Sequence, residues 1–103
     1  MHIVPVVELP KTEKAYREWV RAYPDGFVIN ALKEPDDRWP SSMRVMIFHR
    51  ADCMRISPAT PKRLNVRGHT IKACSMTPLA LTTWASLRSE PLLFCCRCDM
   101  HIG

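Results

Sequence analysis

Glycine is scarce in this chain, three residues in 103, and none of the three stands in a phosphate-cradling or nucleophile-presenting turn. There is no G-x-x-x-x-G-K-[ST], no G-x-G-x-x-G and no G-x-S-x-G, which excludes the enzyme classes built on those turns. Long apolar runs are missing too. The opening MHIVPVVELP has no basic n-region, and Pro5 and Glu8 interrupt its apolar stretch, which predicts neither a signal peptide nor a membrane span and gives the cytoplasm as the expected compartment. Internal repeats and low-complexity tracts are absent. A reducing compartment disfavours structural disulfides, and the five cysteines are an odd number. Metal binding or thiol chemistry remains for them.

What is present is the composition of a soluble globular protein, 47% hydrophobic and 24% charged, with nine prolines that predict stiff loops. A chain of 103 residues is expected to form one domain, residues 1–103. It should bury roughly 60% of its unfolded surface, a core thin enough for an added cross-link to matter. Charge is divided unevenly. Residues 1–40 hold six Lys/Arg and seven Asp/Glu, a net of −1, whereas residues 41–103 hold nine and three, a net of +6. The basic excess therefore lies in the part that also holds every cysteine.

KTEKAYREWVRAYPDG predicts an opening helix, with Thr12 as cap, Glu13 in the first turn, and Ala15, Tyr16, Trp19, Val20 and Tyr23 at helical spacing before Pro24 and Gly26 end it. FVINAL (Phe27–Leu32) and MRVMIF (Met43–Phe48) read as short strands that pair antiparallel across the proline- and aspartate-rich KEPDDRWPSS. Residues 57–69 read as an extended basic loop and TIKAC as a short strand. TPLALTTWASLRSEP predicts a second helix, with Thr77 as N-cap, Pro78 in the first helical position, and Leu81, Trp84, Ala85 and Arg88 along one face. The order predicts an α+β fold: a small antiparallel sheet, two helices and a cysteine knuckle.

Metal ligands often come in pairs spaced so that one tight turn aims both side chains at one ion. HRADC offers His49 and Cys53; CCRC offers Cys95 and Cys98. Both pairs fall at the ends of predicted elements, where ligands can converge. Three thiolates and an imidazole favour zinc, with Zn–S near ~2.3 Å in a closed tetrahedral shell that leaves no position for a water nucleophile. Such a site is structural, and it can contribute on the order of 10 kcal/mol to the folding of a small module. Cys74, just before the Thr77 cap, is an alternative ligand; with it the set becomes four cysteines and His49 moves to a supporting role. His69 and His101 are weaker candidates.

FHRADC, followed downstream by a helix and CCRC, resembles the small metal-binding module of the Ada alkylation-repair family, with its C-x-x-x-C then C-x-x-C. It is also similar to short bacterial domains with H-R-x-x-C and a later C-x-x-C. The resemblance covers about Met43 to Asp99 and implies zinc ligation by His49, Cys53, Cys95 and Cys98 in a DNA-binding setting. The Ada module has its methyl-accepting cysteine at the first ligand position. This chain has His49 there, so the resemblance implies the scaffold and not the methyl transfer.

Arg50, Arg55, Lys62, Arg63, Arg67 and Lys72 lie in a stretch whose only acid is Asp52. A loop tethered at a metal site can present them to phosphates, so the chain reads as a non-enzymatic structural-zinc domain that binds nucleic acid. No aromatic residue interleaves those cations, so contacts to phosphates are expected rather than base reading. The alternatives are a solvated basic loop, or a zinc-stabilised protein-interaction module with Trp39, or the helix carrying Trp19 and Tyr23, as its anchor. Cys53 with His49 as a catalytic thiol/imidazole pair has no identifiable orienting group and is set aside.

Overall fold

The computed structural model describes residues 7–53 and 69–95. It is α+β, with two helices and a four-stranded sheet, in the order α1 (Glu13–Ala22), β1 (Phe27–Leu32), β2 (Met46–Arg50), β3 (Thr70–Ser75), α2 (Pro78–Ser86) and β4 (Leu92–Phe94).

Helix α1 starts where its sequence predicts, because the Thr12 hydroxyl accepts a hydrogen bond from the Ala15 N–H at 3.0 Å. Tyr16, Trp19 and Val20 form its buried stripe, while Ala15 and Tyr23 stay exposed. At α2, Thr77 occupies the cap position, but its side chain makes no cap bond; its N–H instead donates to the Ser75 hydroxyl at 3.0 Å. Leu81 and Ala85 of α2 are buried, and the Arg88 guanidinium packs 5.2 Å from the centre of the Trp84 ring.

The sheet order is β3-β1-β2-β4. β1 pairs antiparallel with both β2 and β3, as expected for β2, but β4 adds to β2 in parallel, so the sheet is mixed. β2 also begins later than MRVMIF predicts, since Ser41–Met43 form a single 3-10 turn after Pro40 and the ladder opens only at Met46.

Strand pairing sorts the side chains onto two covered faces. Val28 of β1 lies level with His49 of β2 and Cys74 of β3, and this row packs with Tyr16, Trp19 and Val20 of α1. Ile29 lies level with Phe48 and Ala73, and that row packs with Leu81 and Ala85 of α2. A helix on each side explains why FVINAL is a nearly continuous apolar run. The outer edge of β3 is closed by the chain ahead of α1, where Glu8 and Cys74 exchange both backbone hydrogen bonds at 2.8 Å. The expected basic loop of residues 57–69 lies outside the described residues except for His69.

Candidate metal centre

Three side chains of the α1-facing layer converge. His49 is the fourth residue of β2, and its register opposite Val28 turns it into the interior, where it is 4% exposed. The chain then reverses in a tight turn. The Cys53 N–H donates to the Arg50 carbonyl at 3.0 Å, and the Ala51 N–H donates to the Gly26 carbonyl at 2.9 Å. This turn brings the two residues of H-x-x-x-C together, because it folds Cys53 back toward the strand it has just left.

The third residue arrives through the parallel strand. Phe94 pairs with Phe48, and the Cys95 N–H donates to the Phe48 carbonyl at 3.0 Å, which delivers Cys95 beside His49. The ligand atoms of His49, Cys53 and Cys95 all lie within 4.8 Å of one another. Both thiols are buried, and their sulfurs are 3.9 Å apart. That distance is far beyond a disulfide bond. Two thiolates on one tetrahedral ion at ~2.3 Å are separated by about 3.8 Å, so the spacing fits a shared metal ion. Two soft sulfurs and an imidazole make a donor set suited to zinc and poorly suited to hard cations.

Tyr16, Trp19 and Val20 of α1 pack in the same cluster as the two thiols. Burial first, then the neighbouring Cys74, Glu13 and Cys53, holds the Tyr16 phenol above its ordinary range, so it is neutral at physiological pH. Cys74 is in this cluster too and is fully buried. Its place on the far side of β1 puts it about 10 Å in backbone terms from His49, two strand spacings away, and it is not part of the converging group. Burial, reinforced by the Glu8 carboxylate and opposed by Lys72, pushes the Cys74 thiol up to about 12. Cys98, the other expected ligand, lies outside the described residues, as do Cys96 and His101.

The basic residues separate. Arg55, Lys62, Arg63 and Arg67 lie outside the described residues. Arg50 is at the end of β2, with its guanidinium against the Asp52 carboxylate at 3.2 Å. Lys72, read from sequence as part of a solvent-facing basic stretch, is instead an interior strand residue, 4% exposed, whose ammonium donates to the Asn30 side-chain oxygen at 2.6 Å. The pairing of Asn30 with Lys72 explains the difference, because that register turns Lys72 onto the covered face beneath α1.

Tyr16 was not legible as a neighbour of the thiols. Helical spacing places it on the core face of α1, but nothing local says what that face covers. Among the described residues no helix is long and apolar enough to cross a membrane. Comparison with protein-family models, with curated proteins and with solved structures finds no match for this chain.

Proposed function

We propose that the protein is a small module stabilised by a structural zinc ion, held by His49, Cys53, Cys95 and Cys98, which binds nucleic acid through the phosphates that its basic segment contacts. The observation that carries this reading is the convergence of His49, Cys53 and Cys95, with a sulfur separation of 3.9 Å that suits a shared tetrahedral ion. Cys98 supplies the fourth donor on this reading, since a C-x-x-C spacing lets one tight turn aim both thiolates at one ion. The ion ties the β2 turn to the end of β4, two places far apart in sequence, and offsets the thin core expected of a chain this short. A closed shell beneath α1 has no open coordination position, so the role is structural and the module is not an enzyme.

The nucleic-acid half of the reading is supported by charge. Arg50, Arg55, Lys62, Arg63 and Arg67 fall within residues 50–67 of the sequence, with Asp52 the only acid among them. Lys72 is withdrawn from this set by its burial.

Two measurements test the reading separately. Elemental analysis of protein purified without chelator should give about one zinc per chain, and a folded protein free of metal overturns the metal site. Retention of DNA or RNA should fall steeply with salt. The double substitution Arg63→Ala/Arg67→Ala should flatten the plot of log affinity against log salt by about 2 for duplex DNA while zinc stays bound. A wild-type protein that retains no nucleic acid at low salt overturns the second half and leaves a metal-stabilised module for a protein partner.

A further inference from the structure

The end of the sheet away from the metal centre carries a second arrangement that the sequence keeps apart. The Lys33 N–H donates to the His69 carbonyl at 2.8 Å, which holds the residue after β1 beside the residue before β3. The loop after β1 then brings Trp39 against His69, with ring centroids 5.3 Å apart and planes at 65°. Lys33, Glu34, Arg38, Trp39 and His69 line a surface notch of about 150 Å³.

The chemistry of this notch is specific. Two ring planes close to perpendicular form adjoining walls, and a volume of roughly 150 Å³ is what one benzene-sized ring needs, too small for a drug-sized ligand. The Arg38 guanidinium is spoken for, since it binds Asp36 at 2.8 Å and Glu34 at 3.2 Å. Those contacts hold the Asp36 carboxyl below its usual range. Among the described residues the Lys33 ammonium has no carboxylate partner. The notch therefore offers a π-face, a polar ion-paired rim and one available cation. That combination suits a planar heterocycle with a phosphate attached.

We propose that Trp39 and His69 receive one unpaired base of a single-stranded nucleic acid, with Lys33 meeting an adjacent phosphate. This rests on the nucleic-acid reading above and adds to it a preference for exposed bases over backbone alone. In a duplex the bases are stacked on each other, so only an unpaired base has a face to give to Trp39.

The test compares a labelled thymidine 12-mer with an abasic strand of the same length by fluorescence anisotropy. Stacking on one aromatic residue predicts that wild-type protein binds the base-bearing strand about tenfold more tightly. Trp39→Ala should abolish that preference and leave abasic-strand binding unchanged, whereas Trp39→Phe should keep most of it. Trp39 is only half-buried in a surface loop, and a thermal melt matching wild type verifies that Trp39→Ala is folded. Lys33→Ala should weaken both strands and lower the salt dependence. Equal binding of the two strands by wild type, or a preference that survives Trp39→Ala, overturns this proposal alone. Failure to bind either strand overturns it together with the nucleic-acid reading. Displacement of the 12-mer by thymidine monophosphate at equal concentration also overturns it, because the notch is then a free-nucleotide site.

Discussion

The sulfurs of Cys53 and Cys95, 42 residues apart in sequence, lie 3.9 Å from each other under helix α1, with His49 beside them. The separation is too long for a disulfide and suits two ligands of one ion, and on the zinc reading each thiol contributes more than its packing. Cys53→Ser or Cys95→Ser should release the metal and lower stability by more than about 3 kcal/mol. Cys96→Ser, at the middle of the C-x-x-C spacing, should cost under about 1 kcal/mol. His49→Ala should lose the metal and Cys74→Ser should keep it, because His49 belongs to the converging group and Cys74 does not. Metal content together with urea unfolding checks the series; a Cys74→Ser protein that loses metal makes Cys74 the ligand instead.

Cys74 should make the fold sensitive to alkali. Its thiol rises from 9.0 to about 12 in the folded chain because burial opposes the thiolate. A folded-state pKa raised above the unfolded value gives stability that is complete below about pH 9 and lost as pH climbs through the interval up to about 12. Urea midpoints should therefore fall more steeply between pH 9 and 11 in wild type than in Cys74→Ala. Tyr16 is raised in the same direction, by burial first and then in part by Cys74, so the difference between the two proteins includes the share of the Tyr16 shift that Cys74 causes. Parallel declines rule Cys74 out as the cause.

Gly26 admits no side chain. A Cβ there would stand 2.6 Å from Cη2 of the buried Trp19 ring, 3.1 Å from the Tyr23 carbonyl and 3.2 Å from the Met76 sulfur. The carbonyl of Gly26 also anchors the turn that presents Cys53, through Ala51. Gly26→Ala should cost about 2 kcal/mol and weaken metal retention, since overpacking shifts both the α1 cover and the turn. Denaturant unfolding and competition with a chromogenic chelator check the two effects.

Arg88 closes the far end of α2. It pairs with Glu90 at 2.6 Å and donates to the Leu32 carbonyl at 2.7 Å, and the Glu90 side chain is only 5% exposed. Arg88→Ala leaves a buried carboxylate without its cation, so a loss of about 3 kcal/mol is expected. The double change Arg88→Ala/Glu90→Gln should recover part of it, as measured by the urea midpoint.

Local chemistry made much of this protein legible in its sequence. Thr12 and Pro78 mark helix starts through capping and backbone constraints that act within one turn. The span of β1 follows from an apolar run bounded by Gly26 and Lys33, and the pairing of His49 with Cys53 follows from a spacing that one turn closes. Tertiary structure alone decided the rest. β4 is three residues long and exists as a strand because β2 offers it an open edge; that parallel pairing, not the sequence around Cys95, delivers the second thiol to the first. The pairing of β1 with β3 likewise decided that Lys72 is an interior residue and that His69 stands beside Lys33, where the loop after β1 brings Trp39 to it. Side-chain direction in a strand has a period of two, so one step of register chooses between solvent and core, and register is set by partners remote in sequence.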